Sequence, residues 1–211
     1  MDTIIDIYNN ESYWCGEVGY RPPGYADFTI NSLKEISILT RFPSSVLDLG
    51  CAYGFTVGRL RDLQIEAWGV DISSLAISRA EERVKPFLKI APLWDLPFPS
   101  QSIDFGFSSG VMEHIPQEKL GKTIQEIVRV CSRGLIGVAV TDDPTSKQDE
   151  DSSHSELKSL TYWRGLFPKT FQIMSDSEGA WRVDATLSVV NSFNLSSTLN
   201  IFRLRKNEGR L

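Results

Sequence analysis

Two acids, Asp48 and Asp71, each sit at the end of an apolar run, and glycines crowd the turn between them. The first run reads Val46-Leu47-Asp48-Leu49-Gly50-Cys51-Ala52-Tyr53-Gly54, the second Gly69-Val70-Asp71-Ile72-Ser73. A helical pattern separates them, so the spacing predicts a strand, a tight turn, a helix and a parallel strand, with a carboxylate at each strand's C-terminal end. Ligands of open parallel sheets bind just outside those ends. Asp71 suits the hydroxyls of a ribose. A dinucleotide turn wants glycine at all three positions of G-x-G-x-x-G, but here Gly50, Ala52 and Phe55 hold them. Asp48 beside the turn would repel a pyrophosphate and suit an ammonium. The pattern therefore favours a cationic, phosphate-free ligand that carries a nucleoside.

Elements to position these residues follow from the hydrophobic spacing. Helical periodicity is expected from Tyr25 to about Thr40, ending before Pro43, because the residue before proline disfavours helical geometry. Strands are expected at Val46–Leu49, Ala67–Val70, Phe87–Ile90, Ile103–Ser108 and Leu135–Val140. Helices are expected at Phe55–Leu63, from an N-cap at Ser73 to about Val84, and at Gln117–Val130. Strands alternating with helices imply an α/β, Rossmann-like doubly wound sheet, mostly parallel, with helices on both faces. Residues 141–155 read as an acidic surface loop and Leu157–Phe167 as a short helix. Val183–Val190 and Leu199–Arg205 read as an antiparallel C-terminal edge pair. The expected organisation is a single domain over residues 1–211, in three parts: an aromatic arm and helix over 1–43 that could close as a lid, a core over 44–140, and an acceptor-side loop, helix and edge strands over 141–211.

Composition narrows the classes. The 211 residues carry a formal charge of −5, against nucleic acid as a partner, since phosphate calls for a basic footprint. Cys15, Cys51 and Cys131 are odd in number and lack metal-ligand spacing, which favours a reducing, cytoplasmic setting. The segment Met1-Asp2-Thr3-Ile4-Ile5-Asp6 shows no signal-peptide pattern, and no apolar run reaches the roughly 20 residues needed to span a bilayer. The sequence sets no oligomeric state.

Four motifs in order give the chain a family likeness: the two acid-tipped runs above, Asp95-Leu96-Pro97-Phe98, and Ile103-Asp104-Phe105 leading into Ser108-Ser109-Gly110-Val111-Met112-Glu113-His114-Ile115. Over Ser44 to Val140 the sequence resembles the class I S-adenosylmethionine-dependent methyltransferases, in particular the small-molecule branch with the generic methyltransferase domain. The resemblance implies S-adenosylmethionine as cofactor, S-adenosylhomocysteine as product, and no metal. It implies that Asp48, Gly50, Ala52, Tyr53 and Gly54 surround the methionine part, that Asp71 holds the ribose, and that Ile72 lies against the adenine. Ser109 follows on the cofactor side. Where relatives often bring an acid to the adenine amine, this chain has Pro92, so Leu93 backbone, the Trp94 ring or Asp95 would take over. The acid that helps relatives in ubiquinone biosynthesis bind a divalent ion is here Gly110.

The chain has two histidines as candidate bases. His154, in an Asp-x-x-His loop resembling that of sugar-modifying and natural-product relatives, is the preferred base or acceptor contact, and a solvated loop histidine is its bland counterpart. His114 follows Glu113 and serves catalysis or structure. Tyr13, Trp14 and Tyr20 of the arm and Trp163 beyond the acidic loop are expected to wall the acceptor pocket, or simply to anchor their segments. The leading expectation is methyl transfer to a hydroxyl or amine of a small metabolite such as a sugar or secondary metabolite, with no nucleic acid and no membrane involved. The alternative is a catalytically inactive S-adenosylmethionine-binding sensor or partner subunit. A nicotinamide-dependent oxidoreductase shares the sheet but not the glycine pattern.

Overall fold

In the computed structural model, residues 4–15, 43–139, 162–163, 166, 171–174 and 186–191 are described. Five strands run parallel: β1 (Ser45–Leu49), β2 (Glu66–Asp71), β3 (Leu88–Ile90), β4 (Ile103–Ser109) and β5 (Cys131–Ala139). Their spatial order is β3-β2-β1-β4-β5. The chain steps outward from β1 to β3, then crosses back to place β4 on the other side of β1. That reversal opens a crevice between the C-terminal ends of β1 and β4, the usual ligand position in such sheets.

Every residue of β1 is buried, as a central strand covered on both faces must be. Val46 packs with Val57, Leu60, Ile77 and Phe105 on one face, and Leu47 and Leu49 pack with Leu120, Ile124 and Ile127 on the other. Helix α3 (Phe55–Asp62) and helix α4 (Ser74–Ser78) supply the first face, and α5 (Gln117–Val130) the second. In α5 the buried set is Leu120, Thr123, Ile124, Ile127 and Val130, one stripe at three- and four-residue spacing. Two short helices, α1 (Ile4–Tyr8) and α2 (Glu11–Cys15), precede the sheet.

Two expected boundaries move. The helical spacing after Ser73 continues to Val84, but α4 stops at Ser78; residues 79–87 run through tight turns and a 3-10 turn containing Pro86. Those turns carry Val84 to within 3.0 Å of where a side chain on Gly58 would begin. The fifth strand starts at Cys131, not Leu135, directly from the last residue of α5. Gly134 is needed inside the strand: a Cβ there would lie 2.6 Å from the Gly106 carbonyl oxygen on β4. The last carbonyls of α5 are satisfied by Gln101, whose backbone N–H donates to Arg129 at 2.7 Å and whose side-chain amide donates to Val128 at 3.0 Å.

Strands β6 (Phe171–Met174) and β7 (Thr186–Asn191) pair antiparallel with each other, and β7 pairs with β5. The 186–191 strand thus lies between β5 and the 171–174 segment. The expected helix over 25–40, the acidic loop over 141–155 and the 199–205 strand lie outside the described residues.

Candidate active site

The turn after β1 is built by backbone chemistry. The N–H groups of Gly50 and Cys51 both donate to the Val70 carbonyl, at 2.8 and 3.0 Å, which ties the turn to the end of β2. Gly50 adopts φ +84°, and a Cβ there would lie 2.5 Å from Val111 Cγ2. Gly50→Ala is therefore expected to lose about 3 kcal/mol from left-handed strain and overpacking together, read as a lower urea midpoint at unchanged slope. Ala52 also adopts a left-handed conformation, φ +46°, a cost of roughly 1–2 kcal/mol for a residue with a Cβ. Its methyl group is buried against the N-terminal helices.

Asp71 fastens this turn from the other side. Its Oδ2 accepts from the Ala52 N–H and its Oδ1 from the Ser73 N–H, each at 2.8 Å. A carboxylate offers about four lone-pair sites, so capacity remains for hydroxyl donors from the crevice. Burial pushes its carboxyl above the usual range while these backbone donors hold it down. Asp48 is buried close by. Burial, then the Asp71 charge, push its carboxyl up to about 7 against a hydrogen bond from Thr56. Two acids share one buried corner, and among the described residues no basic side chain enters the balance of either. Such a corner favours a cation. Cys51 lies near both acids, its thiol pushed up by burial and by the charges of Asp71 and Asp48, and it packs as a small apolar group against Gly69.

The N-terminal helices lie over this corner. Tyr8 and Trp14 are buried with Ala52 and Ala76, flanked by Tyr13, Tyr53 and Ile72. Trp14 stacks at a tilt on Tyr53, 5.2 Å between centroids, and its indole N–H donates to the Tyr8 carbonyl at 2.8 Å. Tyr13 meets Tyr8 and Trp14 edge-on at 4.8 and 5.0 Å. Arg79 pairs with Glu11 at 2.5 Å and donates to the Tyr53 hydroxyl at 3.4 Å. The arm thus brings Tyr13 and Trp14 together with Tyr53 and Ile72.

Beyond β4, a 3-10 turn over Met112–His114 buries all three of its residues. His114 meets the Tyr8 ring edge-on at 5.8 Å, which brings this histidine under the arm. Ser109 is the last residue of β4, paired with Gly137. Its neighbour Ser108 is wholly buried, and its Oγ has no hydrogen-bond partner among the described residues. Leu93 is buried, and Trp94 packs at the edge of the same cluster with Lys119 Nζ 5.9 Å from its ring. The turn carrying them is held to α5 by Arg129, which donates to the Phe98 and Leu96 carbonyls at 2.8 and 3.0 Å and pairs with Glu126. Trp163 is 1% exposed and sits in the α5-side core with Leu96 and Met112. His154 and Tyr20 lie outside the described residues.

Comparison with known proteins decides the class. The family model of the methyltransferase domain matches residues 46–134, the span from β1 into β5. These residues carry a class I S-adenosylmethionine-dependent methyltransferase domain. Solved structures share the fold. That reported for the conversion of a disulfide bond into a thioacetal group during echinomycin biosynthesis has a TM-score of 0.62 at 17% identity, over 95% of this chain and 98% of its own. The PH0226 protein of Pyrococcus horikoshii OT3 gives 0.62 at 19%, over 88% and 97%. A SAM-dependent methyltransferase from Archaeoglobus fulgidus gives 0.60 at 16%, over 85% and 96%. At such identities the likeness is one of fold. No curated protein sequence matches the chain.

The cofactor of such a domain is S-adenosylmethionine, and the residues present fit it. An acid with acceptor capacity ends β2, a second buried acid offers a counter-charge, and left-handed Gly50 and Gly54 shape the turn beside them. Thr56, Asn9 and the Ser108 hydroxyl, which finds no partner among the described residues, were not legible as site residues. Thr56 stands two residues after Gly54, and only the fold aims it at Asp48.

Proposed function

We propose that this methyltransferase passes a methyl group to a hydroxyl or amine of a small metabolite, of the sugar or secondary-metabolite kind. The observation that carries this reading is the aromatic arm seated across the glycine turn and against His114. An aromatic cover of that kind suits a small, enclosed acceptor, and the net charge of −5 is opposed to a polyanion. The same reading takes residues 1–211 as one domain working in the cytoplasm, its C-terminal edge closed by an antiparallel pair.

In this scheme Asp71 would hold the ribose hydroxyls, Asp48 the ammonium end, and Gly50, Ala52, Tyr53 and Gly54 the backbone wall, with Ile72, Leu93 and Trp94 around the adenine and Ser109 toward the reacting end. The bound cofactor supplies an electrophilic methyl group on a sulfonium. The protein's share is to hold the acceptor's lone pair in line with that methyl group and to exclude water, which can supply several kcal/mol of the barrier. Tyr13, Trp14, Tyr20 and Trp163 would wall the acceptor. A hydroxyl acceptor must also lose a proton, and His154 is the residue proposed to take it, with His114 as the second candidate.

His154→Ala is expected to lower kcat about 10²- to 10⁴-fold with near-normal cofactor affinity. The assay would follow S-adenosylhomocysteine release across a panel of hydroxyl and amine metabolites. Full turnover in that variant with loss in His114→Ala would move the role to His114; full turnover in both would remove the base from the scheme.

A further inference from the structure

The segment that follows Asp71 is held from outside by the end of α1. Asn9 Oδ1 accepts from the Leu75 backbone N–H at 3.1 Å and from the Ser74 hydroxyl at 3.0 Å. The Tyr8 carbonyl accepts from the Ser73 hydroxyl at 2.5 Å. Ser73 Oγ in turn accepts from the Ala76 N–H at 3.0 Å, and the Ser73 N–H donates to Asp71. A hydrogen-bonded chain therefore runs from the arm through Ser73 to Asp71, and from Asp71 to Ala52 in the glycine turn.

Helix α4 spans five residues, too few to hold its own shape, since isolated helices shorter than about 12 residues are marginal in water. A helix's first turn leaves N–H groups without internal partners. Ser73 satisfies Ala76, and Asn9 reaches across to satisfy Leu75. The arm thus supplies a capping acceptor that the local sequence does not. The Glu11 pair with Arg79 clamps the opposite end of α4 to the same arm.

We propose that Asn9 is a positioning residue for the cofactor: it fixes the segment from Asp71 to Leu75, so that seating of the N-terminal arm and binding of S-adenosylmethionine are coupled. This rests on Asp71 as the ribose acceptor. A ligand that draws on Asp71 is bound best when Ser73 is held, and Ser73 is held by the arm. Coupling of this kind is reciprocal, so the cofactor protects the arm.

The test uses the full chain as wild type, Asn9→Ala, Asn9→Asp and Ser74→Ala, with calorimetric titration of S-adenosylmethionine and hydrogen exchange of residues 4–15. Asn9→Ala is expected to weaken binding about tenfold, from the loss of one capping acceptor, and to abolish the cofactor-induced slowing of exchange in the arm. Asn9→Asp keeps an acceptor in place and should restore both, and Ser74→Ala should cost less than Asn9→Ala. Asn9→Ala affinity equal to wild type overturns the proposal. Equal losses in Asn9→Ala and Asn9→Asp that merely follow a lower Tm also overturn it, by making Asn9 a residue of general stability. A wild type that does not bind S-adenosylmethionine overturns the reading of the site, and this proposal with it.

Discussion

Replacing Asp71 by alanine is expected to weaken S-adenosylmethionine binding at least about 100-fold, because two hydroxyls lose a charged acceptor worth about 1.5–3 kcal/mol each. The fold pays as well. Asp71 is the acceptor for the Ala52 and Ser73 N–H groups, and leaving two buried donors unsatisfied costs about 1–3 kcal/mol apiece. Sequence alone suggests a substitution that spares the fold; the hydrogen bonds say otherwise. Calorimetry therefore belongs at a temperature well below the variant's own Tm. Asp71→Asn offers a partial control, since its amide oxygen can serve one of the two donors and its NH₂ opposes the other. Unchanged affinity in Asp71→Ala, in protein shown to be folded, would refute the ribose assignment.

Asp48→Asn is expected to stabilise the ligand-free protein in alkaline buffer and to cost it the cofactor. In the folded state burial and the Asp71 charge push the Asp48 carboxyl up to about 7 from 3.8. Between those values the folded chain holds a proton that the unfolded chain has released, so stability falls as pH rises through that window and levels off above it. The full drop is roughly 4 kcal/mol. Asparagine removes this dependence, so its Tm should exceed that of wild type at pH 8 and converge with it at pH 4. A cation beside Asp48 draws its proton off. Wild-type affinity should therefore rise between pH 6 and 8, and heats measured in buffers of different ionisation enthalpy should report a released proton. Burial also raises the Asp71 carboxyl, and because the two charges act on each other, the difference between the two curves reports the Asp48 charge together with its coupling to Asp71. Equal affinity of both proteins at pH 8 would remove Asp48 from the ammonium contact.

Much of the cofactor side was legible because it is local. The acids at the ends of β1 and β2 follow from two apolar runs and a glycine turn. The bounds of α5 follow from Pro116 and an unbroken stripe from Leu120 to Val130. What failed to show is what only contact with another element decides. The early start of β5 follows only once Gly134 lies beside Gly106, and the helical spacing through Val84 says nothing of the turns that lower it onto Gly58. The arm's aromatics were conspicuous, but periodicity does not say on which surface a terminal segment lands. Asn9 was invisible for that reason: its partners are Ser74 and Leu75, more than sixty residues away. The acceptor-side assignments rest on His154 and Tyr20, beyond the described residues, and on Trp163, which the fold buries.

Val130 ends α5 and Cys131 begins β5, with no linker between them. A strand alternates its faces with period two, so one residue gained or lost at that joint would swap the inside and outside of β5 and carry Ile136 out of its layer. There is no slack to absorb the slip. Natural variation in chain length, and any engineered graft, must therefore spare this seam, which acts as a ruler that fixes the strand's phase against its neighbour.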